Sequence, residues 1–341
     1  NINQLTTAQI GTLSSGNIAS LSSSQIVNLD ATLFNKLTSA QISSISTIAL
    51  SSLSSTQLQA FGTTGASALS ATQISALGTS GITKLSAAQL STLSTSAVNT
   101  LSSAQITALG TANINNLSST QLRALSSAAI NTLSSAQVAQ LDTKIATLTS
   151  SQISAIATSV VKELSLAQIQ ALGTSGITAL TSAQIQALDT TDVTNLTSAQ
   201  VGALSSSQIA ALTSSQIAGL ETADMGALSS VQIKALGAST IGQLSSSQIK
   251  TLTSTQLQAL TSTQIQALGT SGINQLTTTQ ISTLSANNVA SLSSAQIINL
   301  DPTLFGKLTA TQIGSISTTA LSSLSSDALQ ALGTSGANAL T

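Results

Sequence analysis

At 341 residues the chain is long enough for two or three globular domains, yet only 5% of it is charged, the net charge is −1 and 41% is apolar. That balance excludes a basic face for nucleic acid and a polybasic cluster for an anionic membrane. With no Cys, His or Trp, disulfides and thiolate or imidazole metal sites are excluded too, and no apolar run approaches the roughly 18 residues of a membrane span.

The first elements set a rhythm that the whole chain keeps. Leucine stands at Leu5, Leu13, Leu21, Leu29 and Leu37 and recurs every eighth position to Leu141. It resumes at Leu148 and holds the step to Leu340, with only Ile45, Phe61, Ile156 and Ile316 in its place. A second apolar residue follows five places later, as at Ile10, Ile18, Ile26 and Phe34. A fixed period of this kind means stacked repeats and a continuous core, and it overrides the domain count suggested by length. The expectation is one continuous solenoid over 1–341.

Two kinds of octad alternate, so the sequence unit is sixteen residues. The first reads Leu-Ser/Thr-x-x-Gln-Ile/Leu/Val, as in LSSAQITA from Leu101. Its glutamine is kept in 20 of 21 octads: Gln9, Gln25, Gln41, Gln57, Gln73, Gln89, Gln105, Gln121, Gln137, Gln152, Gln168, Gln184, Gln200, Gln216, Gln232, Gln248, Gln264, Gln280, Gln296 and Gln312. Ala328 is the exception. The second kind is looser, as in LGTSGITK from Leu77, and carries the glutamine only at Gln208 and Gln256. In it Gly follows the leucine at Gly62, Gly78, Gly110, Gly173, Gly237, Gly269 and Gly333.

One long helix cannot use this rhythm, because eight residues leave each leucine about 80° from the last. A helix broken in every octad can. Ser or Thr after the leucine is an N-cap, Gln three places on completes a capping box, and the Ile and next Leu share a face. Glycine after the leucine takes positive φ and ends a helix. The predicted fold is therefore all-α: a solenoid of 16-residue coils, each with two short helical turns, one α and one poorer and partly 3₁₀. A β-solenoid is the alternative, disfavoured because strand alternation would put Leu and the Ile five residues on at opposite faces. Helices this short are unstable alone, so neighbouring coils must supply the rest. The glutamines allow two readings: a structural row of stacked amides that bond one another along the axis, or capping that the Gly-containing octads cannot form.

Further along, one octad is a residue short. It spans 141–147 (LDTKIAT) and brings Leu141, Asp142 and Lys144 together as a repeat defect, expected to make a kink or tightened corner. Asp189 with Asp192, and Glu221 with Asp224, come closest to a cation site. They lack the ligand density of a calcium loop, and Asp30, Asp142, Asp189, Glu221 and Asp301 all sit where an acid serves a helix N-terminus. No cofactor or metal is expected. The serines have no His or paired Lys to activate one, so no catalytic residue is assigned and the chain is not expected to be an enzyme.

A longer repeat closes the chain. NLDATLFNKLTSAQISSISTIALSSLSS from Asn28 returns as NLDPTLFGKLTATQIGSISTTALSSLSS from Asn299, 271 residues later. Residues 4–274 thus read as one module and 275–341 as the start of the next, in a piece of a longer tandem array.

The pattern L-[ST]-x-x-Q-[IV]-x-x-L resembles repeat tracts in very large secreted or surface-exposed proteins of Gram-negative bacteria, often described as adhesin-like. The resemblance implies an extracellular or cell-surface structural role and transfers no site residue. Near-zero charge favours association, so the expected partners are copies of the chain itself, in a filament, sheath or surface layer. The alternative is an adhesin stalk or a repetitive face that holds a glycan, a solid surface or ice.

Overall fold

The computed structural model describes residues 2–340. All regular structure among the described residues is helical and no strand occurs, so the all-α solenoid forms and the β-solenoid does not. The chain divides into two compact units, Asn1–Leu180 and Thr181–Thr341. Both use one local grammar.

Ser119–Ala124 shows it. The Ser118 hydroxyl accepts from the Gln121 amide and the Gln121 side chain accepts from the Ser118 amide, which is the reciprocal capping box. The six-residue helix stops at Leu125 (φ −62°, ψ 141°), and Ser126 (φ −66°, ψ 152°) is already the cap of the next helix, Ser127–Asn131. Each octad is thus a short helix of roughly 9 Å and a two-residue extended link. The fifth and sixth places of an octad and the first of the next lie one and four residues apart, on one helical face. They form the core: Leu122 and Ile130 are 0% and 1% exposed, and Leu125 and Leu133 are 4% and 3% exposed.

The coil is larger than sixteen residues. Thr95–Asn99 packs on Ala71–Ala76 and on Ser119–Ala124, and in the second unit Ser182–Ala187 packs on Ser206–Ala211. Packed helices therefore start 24 residues apart, three octads and not two. Side chains reach further still, as when Gln121 meets Leu90 and Leu93, 31 and 28 residues back. A turn thus consumes between three and four octads. The reason lies in the link: two extended residues deflect the chain at a corner but do not reverse it, so three or more sides share the closure.

Apart from the short one, the second-kind octads depart from expectation in being α-helical, some with five residues, as in Thr95–Asn99 and Ser127–Asn131, and some with six, as in Ser206–Ala211 and Ser254–Ala259. Among the described residues 3₁₀ helix is confined to Ile2–Gln4 and Asp142–Thr147. Glycine divides this kind further. In Leu166–Ala179 the helix runs on through Leu172 and bends at Gly173 (φ 59°, ψ −165°). A helical Leu172 brings its side chain over the fifth place, where a Cβ on Gly176 would stand 2.7 Å from Leu172 Cβ. The two glycines are coupled: the first lets leucine stay helical, and the second makes room for it. The octads beginning at Phe61, Leu77, Leu268 and Leu332 repeat the pair. Gly110 also has positive φ, with a half-buried Asn113 in the fifth place. Gly237 does not terminate a helix. It is an extended cap (φ −63°, ψ 147°), and Thr240 in the fifth place carries the Cβ that a helical leucine would strike.

The short octad tightens without losing its core. Asp142 takes the place of the positive-φ glycine (φ 46°, ψ −133°) and Asp142–Thr147 winds as 3₁₀ helix. The larger 3₁₀ rise, about 2.0 Å per residue against 1.5 Å, makes up the missing residue, and Leu141 and Ile145 are both 0% exposed. Lys144 reaches back to donate to the carbonyls of Asn115 (2.7 Å) and Leu117 (3.4 Å). A non-glycine residue at such a φ is strained by about 1–2 kcal/mol. Asp142→Gly is therefore expected to raise stability by about 1 kcal/mol, read as a higher urea midpoint. An unchanged or lower midpoint would reject strain at this corner.

Candidate functional site

The glutamines are the most regular polar feature of the interior. Gln9 and Gln25 are exposed, and Gln41 through Gln312 of the row are buried. Gln121, 2% exposed, shows what they do. Its Oε1 accepts from the Ser118 amide at 2.8 Å, and its Nε2 donates to the Leu90 carbonyl at 2.9 Å and the Leu93 carbonyl at 2.8 Å. Leu90 lies in the last turn of a helix of the preceding turn and Leu93 is its C-cap; the Leu90 carbonyl otherwise accepts only from the Leu93 amide, at 3.3 Å. One side chain thus caps its own helix start and an earlier helix end. Gln73, Gln248 and Gln280 donate to backbone carbonyls in the same way, as does the second-kind Gln256.

This differs from a ladder of amides bonded to each other. The row also divides in two. Gln89 reaches Leu58, Gln121 reaches Leu90, and Gln105 belongs to a separate series through Ile74. The cause is the size of the turn, since octads two apart do not stack when a turn takes more than three.

Asp30, Asp189 and Asp301 act as helix caps, whereas Asp142, expected at a helix N-terminus, makes no side-chain capping bond. Asp30 and Asp301 accept from the amides of Thr32 and Thr303, and the hydroxyls of those threonines, with these amides, hold both carboxyls below the usual carboxylate range. Asp189 and Asp192 form a reciprocal box, with Asp189 Oδ1 accepting from the Asp192 amide at 2.7 Å. Asp224 is buried and accepts from the Ser198 hydroxyl at 2.7 Å and the Glu221 amide at 3.2 Å. Among the described residues no group of three His, Cys, Asp or Glu side chains is placed to hold a metal.

Asp192 stands in a glutamine position, and burial there raises its carboxyl pKa, opposed by the hydrogen bond from the Asp189 amide. A raised folded-state pKa means that the folded chain binds the proton more tightly than the unfolded chain, so ionisation costs stability above it. Asp192→Asn is expected to stabilise at pH 7 by under about 1 kcal/mol. The gain should vanish as pH falls through the raised value, where protonation removes the same charge. A gain that grows on acidification would contradict this assignment.

Sequence reasoning missed several polar contacts between turns. Lys84 donates to the Leu53 carbonyl at 2.8 Å and Lys144 to Asn115, each serving a preceding turn as glutamine does. Nothing in a lysine's spacing announces this. Among the described residues no helix is long and apolar enough to cross a membrane.

Residues 108–143, 185–220, 217–254 and 241–270 match the ALTTAQ repeat. The hexad of that name corresponds to the corner described above, which reads ALTSTQ at Ala259, Leu260, Thr261, Ser262, Thr263 and Gln264. No curated protein matches the chain. By its period, its fold and this similarity the chain is a helical repeat protein with a structural repeat role, built on a capped leucine corner.

Proposed function

We propose that this is a non-catalytic structural protein of the cell exterior that associates with copies of itself into a filament, sheath or surface layer. The observation that carries this reading is the exposed surface, which is made of Ser, Thr, Ala, Asn and Gln with only 5% of the chain charged. Such a surface has little long-range repulsion. Among the described residues Lys162–Glu163, at 3.7 Å and exposed, is the one ion pair. Contacts between copies would then be hydrogen bonds and apolar contacts, which salt scarcely screens.

Sedimentation velocity and electron microscopy over a range of protein and NaCl concentrations test this. The expected result is assemblies that grow with protein concentration and keep their size as salt rises. Monomers throughout would overturn self-association and favour the stalk or binding-face reading. Assemblies that dissolve in salt would overturn the argument from neutrality.

A further inference from the structure

We propose that copies of the chain join end to end, the first turn of one stacking on the last turn of another. This rests on the self-association proposed above and names its contact. One stretch of sequence occurs twice and is covered only once. LTTAQIGTLSSGNIASLSSSQIVNLD from Leu5 returns as LTTTQISTLSANNVASLSSAQIINLD from Leu276. In the second, Leu276, Leu284, Leu292, Gln280 and Gln296 are all buried. Gln280 Nε2 donates to the Ile249 and Leu252 carbonyls at 2.9 and 2.8 Å, and Gln296 Nε2 to the Ile265 carbonyl at 2.9 Å. Their cover is the preceding turn. In the first, the same three helices form, and Gln9 and Gln25 accept from the Thr6 and Ser22 amides, each at 2.9 Å. Both glutamines are nevertheless exposed, Leu5, Leu13 and Leu21 are only half-buried, and neither Nε2 meets an acceptor among the described residues. The first turn is thus a formed stacking face, and its twin shows what fits it: another turn of the same repeat.

The last turn offers the matching half. The Ile42 and Ile45 carbonyls accept from Gln73 Nε2, each at 3.0 Å. Their counterparts 271 residues on are Ile313 and Ile316, and among the described residues no side chain donates to either carbonyl. Leu50, Leu53 and Leu58 are buried, whereas their counterparts Leu321 and Leu324 are half-buried and Leu329 is 48% exposed. The rhythm agrees as well. Leu5 and Leu340 each begin an octad of the first kind. With Leu5 of one copy in the place of Leu340 of the other, Gln9 falls 31 places after Ile313 and 28 after Ile316, the spacing that Gln280 keeps from Ile249 and Leu252. Water satisfies the amides and carbonyls of a free end, so the uncovered leucines favour closure and the glutamines fix its register.

Sedimentation velocity on the full chain, on a Gln9→Glu/Gln25→Glu variant and on an Ala128→Glu/Ala199→Glu control tests this. A capping box accepts Glu as readily as Gln, and neither glutamine bonds another turn, so the variant should melt with the parent. Stacked on another copy, its carboxylates would face carbonyls without a donor, and association should weaken at least about a hundredfold. The control adds the same charge at exposed helix positions and should assemble as the parent does. A Gln9→Glu/Gln25→Glu variant that assembles like the parent would overturn end-to-end stacking and leave self-association standing. A control that loses assembly to the same extent would also overturn it, since charge alone would then be the cause. A parent that stays monomeric would overturn self-association itself, and the stacking with it.

Discussion

Gln121→Glu is expected to destabilise the first unit by about 3–5 kcal/mol at pH 7. The prediction turns on what the side chain bridges. A capping box accepts Glu as readily as Gln, so a residue that only capped Ser119–Ala124 would tolerate the change. Gln121 also donates from Nε2 to the Leu90 and Leu93 carbonyls, at 2.9 and 2.8 Å. A carboxylate there loses both donors and faces two acceptor oxygens in a site 2% exposed. Burial would raise the introduced carboxyl's pKa, and the neutral acid regains one donor. Stability should therefore recover as pH falls through the raised value. Gln121→Met, close in volume, should cost about 1–3 kcal/mol with no pH dependence, because the Leu93 carbonyl and the Ser118 amide lose their partner while the Leu90 carbonyl keeps the Leu93 amide. Thermal melts between pH 4 and 8, with amide exchange at Leu93 and Ser94 as a local probe, distinguish these outcomes. A Gln121→Glu variant that melts with the parent at pH 7 would reduce the glutamine to a cap.

Much of this was legible from residues alone. Ser118, Gln121 and Leu125 announce a capped helix, a buried face and a corner, and the structure has all three. The number of octads per turn was not legible. It is set by the deflection at links such as Leu93–Ser94 and by where Gln121 finds acceptors 28 and 31 residues back, and neither leaves a mark in an eight- or sixteen-residue period. The alternation of octad kinds suggested two sides to a coil. In fact each kind is distributed around a turn of more than three octads, so the alternation is a local device that mixes bridging octads with compact ones. The shorter reach of Asn288, which stands in a glutamine position and donates to Leu260 at 3.3 Å, was hidden for a related reason. Asparagine caps as well as glutamine does, and the missing methylene shows only when the preceding turn is in place.

The compact octads allow one more test, because their glycines are a pair. Gly176→Ala alone should cost about 1–3 kcal/mol, since the new Cβ would meet Leu172 Cβ at 2.7 Å and Leu172 Cδ2 at 2.9 Å. The octad has a second route available, the one taken at Leu93, where leucine is extended (ψ 139°) and Ser94 caps a helix with Ala97 in the fifth place. Five octads have glycine in the fifth place, and all five have glycine in the second. Octads with alanine in the fifth place, at Ala49, Ala97, Ala129, Ala320 and Ala328, have serine in the second. Gly173→Ser should therefore change sign with its background. In the parent it forces a non-glycine residue to φ 59° or drives the octad from its packed route, at about 1–2 kcal/mol. In the Gly176→Ala chain it completes the serine-capped route, lowers the entropy of the unfolded chain and recovers about 1 kcal/mol. A double-mutant cycle by urea unfolding measures the coupling. Simple additivity would mean that the two glycines are independent, and that leucine's helical state is not what binds them together.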